Sequence, residues 1–174
     1  MDDIKIMRRG KFYLTPLQYN HVDEICANLP AEGLYDIHCL GYDNPKEAIL
    51  EMMEVSEAYV VKSKDGPILC VTGLFFDVTV ELPQFFCIFT NEIKENLRLL
   101  VIGSRMIMGF FDKNHPRLCM CILSEFPTML NWASSLGFEP VGILEQRNHK
   151  YIEFVRCNPM EKDVSDKLSR PVMH

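Results

Sequence analysis

Apolar positions recur along this chain in two rhythms, and the slower one marks helices. Thr15-Pro16-Leu17-Gln18 sets a cap hydroxyl before a proline at the first helical position and a glutamine at the third. Leu17, Val22, Ile25, Cys26 and Leu29 follow at helical spacing until Pro30. The same grammar recurs in Asn44-Pro45-Lys46-Glu47, with Ala48, Ile49, Met52 and Met53 as the buried stripe of a second helix. Residues 11–14 read as a short strand ahead of the first helix. The stretch AEGLYDIHCLGYD, residues 31–43, reads as irregular, either shaping a pocket or only connecting.

The faster rhythm marks strands. Residues 58–62 and 68–76 flank Lys64-Asp65-Gly66, and Asp-Gly between two β-rich runs predicts an antiparallel hairpin. QFFCIFT (84–90) and LCMCIL (118–123) are apolar without alternation, as in central strands covered on both faces. Residues 93–113 between them are long and apolar enough for a buried crossover helix, which makes those strands a parallel pair with a right-handed connection. Pro127 opens a further helix with the face Leu130, Ala133 and Leu136, ending at Gly137 in a left-handed cap. Residues 141–145 and 150–155 form a closing hairpin around Arg147-Asn148, and a polar tail, 158–174, is either disordered or docked on a partner. The order β, α, α, β, β, β, α, β, α, β, β predicts an α/β (α+β) fold: a mixed sheet of about six to seven strands with helices on both faces. One domain is expected over residues 1–157, followed by the tail.

Composition narrows the function classes. The 174 residues suit one domain, and 48% apolar, 24% charged and 10% aromatic residues exclude a disordered, collagen-like or coiled-coil chain. Eighteen Lys and Arg against 24 Asp and Glu leave a net charge of −6, the wrong sign for phosphate backbones or anionic lipid. Seven cysteines without a Cys-x-x-Cys pair, and an N-terminus lacking the apolar core of a signal peptide, lead to the expectation of a reduced, cytosolic protein. The most apolar stretch, 97–111, is interrupted by Arg98, Ser104 and Arg105 and is shorter than the roughly 20 residues that span a bilayer, so no membrane span is expected.

The element order resembles the GNAT fold of N-acetyltransferases, in which acyl-CoA lies between two central strands that splay apart. The local anchor is Pro127 to Phe138, which looks like that family's last helix ending in a Leu-Gly-Phe turn (Leu136, Gly137, Phe138). A narrower resemblance is to GNAT-like proteins of short-tailed bacteriophages, internal virion proteins or acetyltransferases. It rests on Thr15, Pro16 and Val22, on Asn44 to Ala48, on the aromatic strand running into a charged helix start from Phe85 to Asn96, and on Trp132. The resemblance covers about residues 11–157 and implies acetyl-CoA as cofactor, a phage virion or host protein as partner, and a place in the host cytoplasm or inside the virion.

The resemblance also implies where a site should lie. The family's phosphate loop, Gln/Arg-x-x-Gly-x-Gly/Ala at the start of the crossover helix, offers backbone N–H groups and a helix dipole to the pyrophosphate. Here that stretch is Thr90 to Asn96, which has no glycine and carries Glu92 and Glu95, so the loop reads as degenerate. A later register, Arg98 to Gly103, recovers an arginine and one glycine but leaves a short helix. Phe89, Thr90, Asn91, Lys94, Arg98 and Trp132 are the candidates for holding acetyl-CoA. The general-acid tyrosine common four residues before the glycine of Leu-Gly-Phe is Ala133 here, and an asparagine common near the helix start is Phe126. Candidate catalytic bases are Glu125, beyond the end of a central strand, and Glu81, with Asp77 in the same loop. Cys119, Cys121 and His115 fall short of a four-ligand zinc set, and His38-Cys39 are adjacent, which rarely orients a nucleophile and its base. Three functions follow: an acyl-CoA-dependent N-acyltransferase with an atypical phosphate site, a non-catalytic GNAT-fold virion, assembly or host-binding protein, and an unrelated globular function.

Overall fold

Strand alternation divides the apolar residues between two faces of one sheet. Val60 and Val71 turn to one side and pack with Val22, Ile25, Ala48 and Ile49. Val61, Leu74 and Phe85 turn to the other and pack with Met106, Ile107, Phe111, Trp132 and Ala133. The computed structural model describes residues 7–9, 12–64, 66–77, 81–93 and 97–158. Among them the order is β1 (Met7–Arg9), β2 (Phe12–Pro16), α1 (Tyr19–Ala27), α2 (Ala31–Cys39), α3 (Pro45–Val55), β3 (Ser56–Ser63), β4 (Ile68–Phe75) and β5 (Gln84–Phe89). A 3₁₀ turn (Asn91–Ile93), α4 (Leu97–Phe111), β6 (Arg117–Leu123), α5 (Pro127–Ser135), β7 (Glu139–Gln146) and β8 (His149–Cys157) complete it.

Eight described strands form the sheet in the order β1-β2-β3-β4-β5-β6-β8-β7. The expected mixed sheet with helices on both faces is present, with one strand more than expected because the short β1 pairs antiparallel with β2. β5 and β6 are parallel neighbours joined through α4, and every other pairing is antiparallel. The closing hairpin turns at Arg147 (φ 50°) and Asn148 (φ 66°), two successive left-handed residues whose twist matches the flanking strands.

Three expectations are corrected. The first helix starts at Tyr19, because Thr15 and Pro16 are drawn into β2 opposite Val60 and Tyr59. Gln18 caps instead, its backbone N–H donating to His21 Nδ1 at 3.1 Å. Residues 31–39 are a helix, α2, rather than irregular: Pro30 sits extended at its N-cap and Glu32 lies in its first turn. Only Ile37 and Cys39 of α2 are buried, so its apolar stripe is too thin to show as periodicity. The crossover helix spans Leu97–Phe111, preceded by the 3₁₀ turn, rather than residues 93–113. The expected tail beyond Asn158 lies outside the described residues.

Gly137 has φ 84°, as the helix stop requires. Phe138, 2% exposed, folds back so that its N–H bonds the carbonyl of Ala133 at 3.2 Å and its ring stacks on Phe85. A Cβ there would meet nothing closer than Arg156 Nε at 3.8 Å, so a substitution costs backbone strain without a clash. Gly137→Val is expected to lower the unfolding free energy by about 1–3 kcal/mol in urea titrations.

Candidate functional site

The site begins as a defect in the sheet. β5 is paired along its whole length with β4, from Gln84↔Phe75 to Phe89↔Cys70. β6 is likewise paired with β8, from Arg117↔Cys157 to Leu123↔Tyr151. The two strands meet each other in one bridge, Gln84↔Cys119, where the Cys119 N–H donates to the Pro83 carbonyl at 3.0 Å. Each strand follows its outer partner, so the pair diverges toward its C-terminal ends. Beyond Gln84 the β6-facing edge of β5 has no ladder partner among the described residues, which leaves backbone groups for an extended ligand that carries amides.

A cavity of about 220 Å³ fills the gap and passes through the sheet. Its α5 side is lined by Phe85, Cys87, Met120, Ile122, Met129 and Trp132. Trp132 lies edge-on to Phe89, with centroids 5.2 Å apart, and its indole N–H donates to Ser104 Oγ on α4 at 2.9 Å. Trp132 is thus a fixed wall of the cleft. On the α2 side, Phe86 of β5, Leu123 of β6, Leu144 of β7 and Tyr151 of β8 share one face of the sheet, beneath Asp36, Ile37 and Leu40.

Gln84, Gln146, Asp36 and Tyr151 interrupt the apolar lining, and the last two stand out. Tyr151 is 4% exposed, and its hydroxyl is buried without a hydrogen-bond partner among the described residues. Burial, then the nearby Asp36, pushes its pKa up to about 12, so it keeps its proton. Asp36 is the one formally charged residue among the described residues lining the cavity, and burial raises its carboxyl to about 6. Sequence reading missed both, because Asp36 lay in the stretch taken as irregular and Tyr151 in a strand where alternation alone gives no role. No local signal marks either residue: Tyr151 reaches the cleft only because β8 lies next to β6 and turns it to the cleft-facing side.

At the rim, the Tyr35 hydroxyl donates to Glu125 Oε1 at 3.0 Å, and this bond chiefly lifts the tyrosine to about 12. Tyr35 also lies edge-on to Phe126 and His149. Cys39 Sγ is 3.6 Å from His149 Nδ1, while His38 faces Asp43. Burial raises the Cys39 thiol, so it is protonated at neutral pH and offers no thiolate nucleophile.

The two acids singled out from the sequence are not brought together. Glu125 is exposed at the open end of the gap, and Glu81 is exposed before β5, at the bridged end. Asp77 is exposed beyond β4. At the start of the crossover, Thr90 is 1% exposed and its hydroxyl bonds the carbonyls of Ile68 and Leu69 at 2.7 and 3.0 Å. The backbone N–H groups of Thr90, Asn91 and Ile93 bond the carbonyls of Leu69, Asn28 and Thr90. Lys94 and Glu95 lie outside the described residues, Arg98 sits in the first turn of α4, and Glu92 is half-buried in the 3₁₀ turn.

The sheet order, the splayed parallel pair and the helices on both faces are those of the GNAT acetyltransferases, and this is the fold of the chain. A protein of Bordetella pertussis assigned to that family superimposes with TM-score 0.68 over 87% of this chain and 98% of its own, at 14% identity. Spermidine N-acetyltransferase from Vibrio cholerae, in complex with CoA and spermine, gives TM-score 0.64 over 85% and 96%, at 13% identity. Ribosomal-protein-S5-alanine acetyltransferase from Vibrio fischeri gives 0.60 over 90% and 98%, also at 13%. No protein-family model matches the sequence, and no curated protein does. Among the described residues no helix is long and apolar enough to cross a membrane, and no cluster of histidine, cysteine or acidic residues is arranged to hold a metal.

Proposed function

We propose that this protein transfers an acyl group from an acyl-CoA thioester to an amine in the gap between β5 and β6. The observation that carries this is the divergence of the two strands after a single bridge, into a cavity lined by Asp36 and Tyr151. The acyl and pantetheine end of the donor fits: the free edge of β5 takes its amides, and Trp132, Phe85 and Met129 wall it. The phosphate end is less well served, since the Thr90, Asn91 and Ile93 amides are bonded elsewhere, and this supports the degenerate-loop reading.

Bound acyl-CoA supplies an activated carbonyl. Asp36, above about pH 6, holds the acceptor as its ammonium. Once the ammonium has given one proton to water, Asp36 takes the second as the amine attacks the thioester carbonyl; the C–S bond breaks as the C–N bond forms, and the thiolate leaves to be protonated by solvent. Tyr151 Oη keeps its proton and donates a hydrogen bond to the negative charge that develops on the reacting group. Glu125, held by Tyr35, draws a cationic acceptor to the mouth. Glu81, at the bridged end, is given no role in this reading.

Free thiol is expected to appear from acetyl-CoA only when a primary amine is present. Tyr151→Phe should lower kcat about 100-fold, yet leave unfolding free energy unchanged or about 1 kcal/mol higher, because the lost hydroxyl had no partner. If the phosphates are weakly held, S-acetyl-N-acetylcysteamine, which lacks them, should come within about tenfold of acetyl-CoA in kcat/KM. For the same reason millimolar acetyl-CoA should shift Tm little, against the several degrees produced by a ligand at about 100 times its Kd. Absence of amine-dependent thiol release removes the proposal.

A second reading is favoured by the outer face of α4, where Val101 and Ile102 are 51% and 43% exposed. It takes residues 1–157 as a non-catalytic domain of a short-tailed phage, binding a virion or host protein in the host cytoplasm through that face. Val101→Lys with Ile102→Glu would then abolish capture of a virion component from infected cells while leaving thiol release, if any, untouched.

A further inference from the structure

We infer that the α2-side compartment of the cleft is an acceptor pocket for an amine with a single positive charge on an apolar body, Asp36 being the group that binds the ammonium. This rests on the acyl-transfer reading only for the word acceptor; the binding claim stands on the compartment itself.

Parity places the compartment. Phe86, Leu123, Leu144 and Tyr151 point to the α2 face, and Ile37 and Leu40 close it from above. These apolar side chains suit a hydrocarbon or aromatic body. Into this setting the fold puts one carboxylate, Asp36, and one buried hydroxyl with no partner, Tyr151 Oη. A half-buried charge and an unmet buried donor each cost stability, so the pair has the character of groups kept for a ligand that satisfies them. An ammonium offers three N–H donors to Asp36, and a heteroatom or developing charge beside it takes the Tyr151 hydrogen.

Charge count sets the selectivity. A polyamine brings further ammonium groups, and among the described residues lining the cavity no second acid receives them. Glu125 lies outside the lining, at the rim and already engaged by Tyr35. A second charge would therefore be desolvated against Ile37, Phe86 and Leu123, with only the amide of Gln146 to offset the cost. An anionic acceptor is opposed by Asp36 itself. A neutral isostere of the amine forfeits the charge-assisted bond.

Titration calorimetry on the full chain without any acyl donor tests this with three probes: phenethylamine, spermidine and 2-phenylethanol. Phenethylamine is expected to bind at least tenfold more tightly than either of the others. Asp36→Asn should weaken phenethylamine at least tenfold and leave 2-phenylethanol unchanged. Leu40, 36% exposed on the rim, accepts a charge without threat to folding. Leu40→Glu should therefore raise spermidine affinity several-fold, a gain that damage to the fold does not mimic. Equal or tighter binding of spermidine by the unmodified protein, or phenethylamine binding indifferent to Asp36→Asn, overturns the inference. Amine binding without thiol release would instead retire the acyltransferase reading and leave the pocket standing, whereas release with spermidine but not phenethylamine would do the reverse.

Discussion

Arg156→Met is expected to lower the unfolding free energy by about 3 kcal/mol, with the midpoint in urea falling and the slope unchanged. Arg156 is 6% exposed on β8, and its guanidinium meets both oxygens of Asp112, just past the end of α4, the Nη2 to Oδ2 distance being 2.9 Å. Its Nε also donates to the Leu136 carbonyl at 2.8 Å, at the stop of α5. One side chain thus ties a strand to the ends of both helices on that face, and removing it leaves a poorly solvated carboxylate and an unmet carbonyl. Pairing Arg156→Met with Asp112→Leu should recover most of the loss, since two apolar groups leave no orphaned charge. If the double variant is no more stable than the single one, the stability lies in the packing of the arginine stem rather than in the ion pair.

Elements that answer to local rules were legible in the sequence. The non-alternating runs 84–90 and 118–123 gave the parallel pair because a strand buried on both faces has no polar parity. Gly137 announced its left-handed backbone, and Arg147-Asn148 the place of the closing turn, through chemistry confined to one or two residues. The helix α2 escaped because it roofs a cavity rather than a solid core: Leu34, Tyr35 and Leu40 stay exposed at 42, 40 and 36%, so the stripe that marks a helix is diluted. The gap between β5 and β6 was reached only through the resemblance to the GNAT fold and not from either strand. Nothing within either strand forbids their pairing, and the divergence arises because β4 and β8 hold them apart, a tertiary constraint with no local signature. The same cause hid the candidate site. Glu125 and Trp132 were within reach of local reading, whereas Asp36 and Tyr151 matter only because α2 and β8 bring them to the gap.

Asp36→Asn is expected to move stability and activity in opposite directions. Burial raises the Asp36 carboxyl from 3.8 to about 6, so the folded chain binds the proton more tightly than the unfolded chain does. Stability from this group is therefore full below about pH 4 and is lost as pH rises through about 6, the reverse of a salt-bridged carboxylate. At pH 7.5 the ionised carboxylate costs on the order of 1–2 kcal/mol once its partial exposure to water is allowed for. The amide variant removes that cost, so its Tm should exceed that of the parent by roughly 3–6 °C at pH 7.5 and match it near pH 4. Tyr151 and Cys39, which sense the same charge, stay protonated across this range and do not blur the transition. Amine-dependent thiol release should fall at least about 100-fold in the same variant, because a neutral amide neither holds an ammonium nor takes its proton. A lower Tm at pH 7.5 would mean that Asp36 is satisfied by a bond within the fold, and its place in the cleft would then be structural.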